Sequence, residues 1–223
     1  MKLLFFDNLP TICYNIYRKY TGERITMIIY AENTSYDYLL FCDIEFDQQV
    51  LVQFAGLLFC RIGPNIFQLA RSCNQYVNHK PSYPFTQYTG LTKQFLQDNG
   101  TRTIDVVQVI LDEFLKDIPK DKMLLISHGL KNDRKIMLEN KLNLSYDEYT
   151  LKDIPGYCTF SNAKTILKRA EHLKLDDLAT ECGFYLDNAH NAYHDAWATV
   201  AVFCWLKKMQ AEEIEKGEQN NNE

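Results

Sequence analysis

The chain has 223 residues, of which 46% are hydrophobic and 13% aromatic, and its formal net charge is −5. These values describe one globular domain with a sizeable core and exclude disordered and fibrous classes; no apolar stretch is long enough to cross a bilayer, so no membrane partner is expected. The acid excess also excludes a global positive field for nucleic acid, so an anionic substrate needs local help.

The opening MKLLFF begins like a secretion signal, but Asp7 and Asn8 cut the apolar run too early. The seven cysteines are odd in number, never spaced C-x-x-C and mostly embedded in apolar runs. That pattern fits reduced core thiols and an intracellular, reducing location rather than disulfides or zinc. Residues 1–36 read as an N-terminal extension packed on the core, helix-like over 9–20 and strand-like over 25–32. Either part could extend a sheet or meet a partner.

Residues 24–62 read as a meander of antiparallel strands over 24–32, 36–46 and 50–62, broken at Asn33-Thr34-Ser35 and at Asp47-Gln48-Gln49. Residues 66–77 add a strand, and a Pro-containing loop follows over 81–90. Helical spacing then appears: Thr103 can cap a helix whose apolar positions are Ile104, Val107, Ile110, Leu111, Phe114 and Ile118. A short buried strand fits 122–128, with helices over 132–142, 161–172, 174–182 and 194–210. Residues 209–223 read as a polar C-terminal tail. Strands first, then helices interleaved with a further strand, predict an α/β architecture, a mixed sheet layered with helices.

Carboxylates stand where they are costly. In LLFCDIEFD, strand alternation puts Leu39, Phe41, Asp43 and Glu45 on one face and Leu40, Cys42, Ile44 and Phe46 on the other. Both faces are apolar, so the strand is central and covered on both sides. Two acids about 7 Å apart on one buried face repel each other and lose hydration, so without a cation at least one should stay protonated. A divalent metal with hard oxygen ligands resolves that conflict; acids at a strand end, open to water or paired to Lys or Arg, are the alternative. Asp195 continues an apolar stripe through Thr199, Val202 and Leu206, where it is either a ligand or an early-helix acid favoured by the helix dipole. Asp133, just past a buried strand, is either a ligand or a helix-start residue.

Taken in order, Asp43-Ile44-Glu45 on a central strand, His128 to Asp133 after a second strand, and HNAYHDAWAT over 190–199 resemble the DnaQ-like, DEDDh family of 3′→5′ exonucleases. LKLDDLATECGF and YTGLTKQFL are also similar to the family's usual segments, and the likeness runs from about residue 37 to about 208, most of the chain. The resemblance implies a ribonuclease H-like mixed central β-sheet with helices on both faces. It implies that Asp43, Glu45, Asp133 and Asp195 hold two Mg²⁺ or Mn²⁺ ions and that a histidine serves as general base. The family's base precedes the last Asp by five residues, which selects His190 and leaves His194 a bystander. Ile44, Phe46 and His128 are the implied substrate contacts. Phe46 departs from the family's usual Thr and Gly129 from its usual Asn; an aromatic at 46 could stack on a base, as could Tyr83, Phe85 and Tyr88.

The implied activity is release of nucleoside 5′-monophosphates from single-stranded 3′ ends, DNA somewhat favoured. Two alternatives stand beside it: an exoribonuclease trimming RNA 3′ ends, and a catalytically silent nucleic-acid-binding or scaffold module. A protein partner or a homodimer fits any of the three.

Overall fold

The computed structural model describes residues 16–21, 24–101, 103–142, 153–185 and 190–220. Among them, seven strands form one sheet: β1 (Ile16–Thr21), β2 (Arg24–Tyr30), β3 (Tyr38–Asp47), β4 (Val50–Gly63), β5 (Ile66–Tyr76), β6 (Met123–Ser127) and β7 (Gly156–Cys158). Their order across the sheet is β1-β2-β5-β4-β3-β6-β7. Neighbouring pairs from β1 to β3 are antiparallel, whereas β3–β6 and β6–β7 are parallel. A mixed sheet of this kind results when a meander is followed by strands that return through helical crossovers.

The alternation along β3 divides the core. Leu39 and Phe41 join Ala55, Leu57 and Phe59 under α5 (Thr159–Ile166), α6 (Leu175–Glu181) and α7 (Ala192–Asn220). Leu40, Cys42 and Ile44 join Leu58 and Leu125 under α3 (Ile104–Phe114) and α4 (Leu130–Glu139) on the other face. Helices thus cover both faces of the sheet, and β3 is central.

Three expectations change. The loop over 81–90 contains a helix, α1 (Tyr83–Thr89), with Ser82 capping the Phe85 amide, Pro84 in its first turn and Gly90 closing it in the left-handed conformation at φ 74°. These are ordinary start and stop signals compressed into seven helical residues, and the prolines flanking Ser82 and Tyr83 disguise them. After α1 comes α2 (Lys93–Asn99). The polar segment from 209 continues α7 to Asn220 instead of forming a tail. In the N-terminal extension, residues 16–20, part of the helix-like stretch, are strand, while 9–15 lie outside the described residues. β2 pairs with β5 through Ile28–Tyr30, so the extension continues the central sheet. Cys42 and Cys73 are buried thiols, and Cys13 lies outside the described residues.

Candidate active site

β3 and β6 pair from Tyr38 with Met123 to Phe41 with Ile126, and their register ends there. Beyond that point lie Asp43 and Glu45 on β3 and Ser127 on β6, at the carboxyl ends of two parallel strands. In open α/β sheets that end is where a ligand crevice forms. Here a cleft of roughly 620 Å³ opens, lined by Asp43, Ile44, Glu45, Asp133, His190 and Asp195 and bounded by side chains of α1, α5 and α6.

Each acid arrives by a different route. Strand alternation delivers Asp43 and Glu45, both half-buried, to the face covered by α7. Asp133 lies in the first turn of α4, buried, and accepts a hydrogen bond from Ser127 Oγ, which also accepts the Gly129 amide at 3.2 Å. Asp195 lies in the first turn of α7, also buried; its Oδ2 accepts the His190 amide at 3.1 Å, and its Oδ1 is buried with no hydrogen-bond partner.

The electrostatics follow from that convergence. Burial, then the charges of Asp195 and Asp133, pushes Glu45 up to about 8. Burial pushes Asp195 up to about 7, opposed by the His190 amide and helped by Asp176. Burial likewise pushes Asp133 up to about 6 against the Ser127 hydrogen bond. Asp43 is raised well above the carboxylate range by burial and by Asp133, Asp195 and Glu45. Such a cluster is strained as anions and wants cations.

The donor set fits a divalent metal. Glu45, His190 and Asp195 each offer a ligand atom, all lying within 4.8 Å of one another. The orphaned Asp195 Oδ1 and the hard carboxylate oxygens suit Mg²⁺ or Mn²⁺.

His190 occupies a turn at φ 65°, a left-handed conformation in which His is better tolerated than most residues. Its ring stacks on Tyr88 with centroids 3.7 Å apart at 30°, and burial holds its pKa below the ordinary imidazole value. His194, four residues on, is not among the cleft's lining residues.

The remaining sequence candidates separate. Ile44 lines the cleft. His128 does too, but both ring nitrogens are engaged, Nδ1 with Thr159 Oγ1 at 2.9 Å and Nε2 with the Leu173 carbonyl at 3.0 Å. Because a carbonyl only accepts, Nε2 carries the proton. Phe46 falls elsewhere: a register shift between Glu45 and Phe46 and the strand's alternation leave it packed on the α3–α4 core, outside the lining. Phe85 is buried beside Leu91 and Leu96, and Tyr83 is exposed outside the cleft; of the loop aromatics named from sequence, Tyr88 alone lines it.

Phe160, His172 and Asp176, which the sequence does not single out, also line the cleft, together with Lys174. Phe160 meets His172 at 5.2 Å and His128 at 5.8 Å, with Lys164 Nζ 4.8 Å from its ring centre. Packing of α5 and α6 against α7 brings these residues to the acids.

Four acids and a histidine thus converge on one cleft of this fold. The chain belongs to the exonuclease family, whose model matches residues 61–203, more than half of its length. That match takes in Asp133, His190 and Asp195; Asp43 and Glu45 lie ahead of it, and their membership in the cluster rests on the geometry above. Solved structures share the fold. Exonuclease I, in a structure described for how processivity is achieved, aligns with a TM-score of 0.60 at 20% identity over 79% of this chain and 42% of that one. The nuclease domain of 3′hExo, a DEDDh family member bound to rAMP, aligns at 0.58 and 17% identity over 80% and 94%. E. coli exonuclease I in complex with a dA16 oligonucleotide aligns at 0.58 and 18% over 79% and 42%. The chain therefore spans about two fifths of the exonuclease I structures it resembles. The architecture is ribonuclease H-like. No curated protein sequence matches the chain. Among the described residues no helix is long and apolar enough to cross a membrane.

Proposed function

We propose that the protein is a metal-dependent 3′→5′ exonuclease that removes nucleoside 5′-monophosphates from single-stranded 3′ ends, with residues 37–208 as its catalytic body. The observation that carries this reading is the convergence of Asp43, Glu45, Asp133 and Asp195, each raised in pKa chiefly by burial, on one open cleft beside His190. With five acids against Lys174 on its wall, the cleft repels a phosphodiester unless cations neutralise it.

Asp43, Glu45, Asp133 and Asp195 would hold Mg²⁺ or Mn²⁺, which supplies charge neutralisation at the scissile phosphate when bound. A ring nitrogen of His190 takes the proton from the attacking water; burial keeps that nitrogen free of a proton near neutral pH, as a base requires. Attack at the terminal phosphorus breaks its bond to the 3′-oxygen, releasing the 5′-monophosphate and leaving a new 3′-hydroxyl. Tyr88, 65% exposed and lining the cleft, offers an aromatic surface to an unpaired base, and Phe160 lines the same cleft. His128, held by two internal contacts, shapes the wall near the substrate.

Exonuclease I with dA16 and the 3′-exonuclease that recognises a histone mRNA stem-loop represent both polymers among the structural neighbours. DNA is favoured here and RNA is the second reading. Product analysis tests the chemistry: single-stranded DNA or RNA incubated with Mn²⁺ should yield 5′-mononucleotides. Products carrying 3′-phosphates would refute the proposed bond cleavage.

A further inference from the structure

We propose that Gln53 is a positioning residue for His190, tying the turn that carries the base to the central sheet. This inference rests on the exonuclease reading for its kinetic arm and stands on geometry otherwise.

Gln53 lies on β4 directly opposite Glu45 in the antiparallel register, and its side chain is fully buried. A buried primary amide needs partners for its two N–H groups and its oxygen. Gln53 finds them at one place. Nε2 donates to Asn74 Oδ1 at 2.9 Å and to Asn191 Oδ1 at 3.4 Å, and Oε1 accepts the Ala192 backbone amide at 3.2 Å. Asn191 Oδ1 also accepts the Tyr193 amide at 3.1 Å, so the same oxygen caps the first turn of α7 and receives the sheet's donor.

The consequence falls on His190. Its left-handed backbone is disfavoured for a side-chain-bearing residue and persists only where neighbours enforce it. Residues 191 and 192, immediately after it, are the ones Gln53 grips, while the His190 amide is held by Asp195 Oδ2. One β4 side chain therefore links the turn to the strand pair that carries Glu45. Asn74 on β5 fixes the amide's orientation, since its Oδ1 takes the Nε2 hydrogen and leaves Oε1 for Ala192. This assigns Gln53 a role that burial alone does not: it sets the distance between the imidazole and the carboxylates.

Gln53→Met keeps the shape and removes all three hydrogen bonds; Gln53→Glu keeps the acceptor for Ala192 and loses the donors. The expectation for Gln53→Met is a fall in kcat of about 10- to 100-fold with KM little changed, as a displaced catalytic group produces. Gln53→Glu, which adds a buried acid across from Glu45, should lose at least as much. Combined with His190→Ala, Gln53→Met should cost nothing further, because the group it positions is gone. Full additivity of the two losses overturns the proposal, as does a loss carried by KM. If Gln53→Met does not fold, Asn191→Ala removes one of the two Gln53 bonds to the turn from the helix side and enters the same cycle. The second readout needs no activity: the His190 ring ¹H–¹⁵N correlations of the full chain, without substrate, should shift and broaden in Gln53→Met or Asn191→Ala. Unchanged His190 signals overturn the positioning role even if the wild type cleaves nothing, whereas a wild-type chain without nuclease activity and with shifted signals refutes only the exonuclease reading.

Discussion

His190 is held on two sides, by Tyr88 stacked on its ring and by Asp195 accepting its amide, and it faces a cleft that His194 does not line. His190→Ala should therefore lower kcat by about 10²- to 10⁴-fold, the usual range for a general base, and His194→Ala should change it little. Steady-state rates on a single-stranded substrate check this, and the reverse order would move the base to position 194. The acids set a second expectation. Glu45, Asp195 and Asp133 sit at about 8, 7 and 6 in the folded chain, against values near 4 when unfolded. Between about pH 4 and pH 8 the folded state thus binds more protons than the unfolded one, so their contribution to stability is fully present below about pH 4 and is lost as pH rises through 8. In EDTA the melting temperature should fall from about pH 5.5 to about pH 8.5, and Mn²⁺ should reverse much of that fall by favouring the ionised carboxylates. A metal-free melting temperature that rises across this range would contradict burial as the dominant effect.

At the scale of elements, α1 places Tyr88, and Asp47 at the end of β3 places α1. Burial alone would raise Asp47, but the Ser82 amide at 2.6 Å, the Ser82 hydroxyl at 2.8 Å and His79 outweigh it and hold its pKa below the ordinary value. Asp47→Ala strands these donors and should cost about 1–3 kcal/mol, read by urea denaturation; it should also raise KM by loosening Tyr88. Normal stability with an unchanged KM would remove α1 from the site. This helix was legible in principle, because Ser82, Pro84 and Gly90 are its cap, first-turn proline and terminator. The Pro81–Pro84 spacing gave the stronger turn signal, and a seven-residue helix is too short for apolar periodicity to oppose it. The C-terminal extension of α7 was hidden for a related reason: its last three turns are polar, and helix continuity there comes from propensity rather than from a buried stripe.

Across the whole molecule, the acids were legible because strand alternation and helical spacing are local rules: Asp43 and Glu45 share a face by parity, and Asp195 follows from the stripe through Thr199 and Val202. Gln53, Phe160 and Asp176 were not legible, because strand pairing and helix docking, which bring them to the acids, join segments far apart in sequence. Phe46 alternates away from Glu45 and packs on the opposite core, so strand parity rather than likeness describes its position. The chain is acidic, and the carboxylate cleft is where it can localise cations. The most direct test digests 5′-labelled single-stranded DNA and RNA with Mn²⁺, comparing the wild-type chain with Asp195→Ala. The account predicts a ladder shortening from the 3′ end on at least one polymer, absent in Asp195→Ala and in EDTA; internal nicks without a ladder, or a ladder that survives Asp195→Ala, would contradict it.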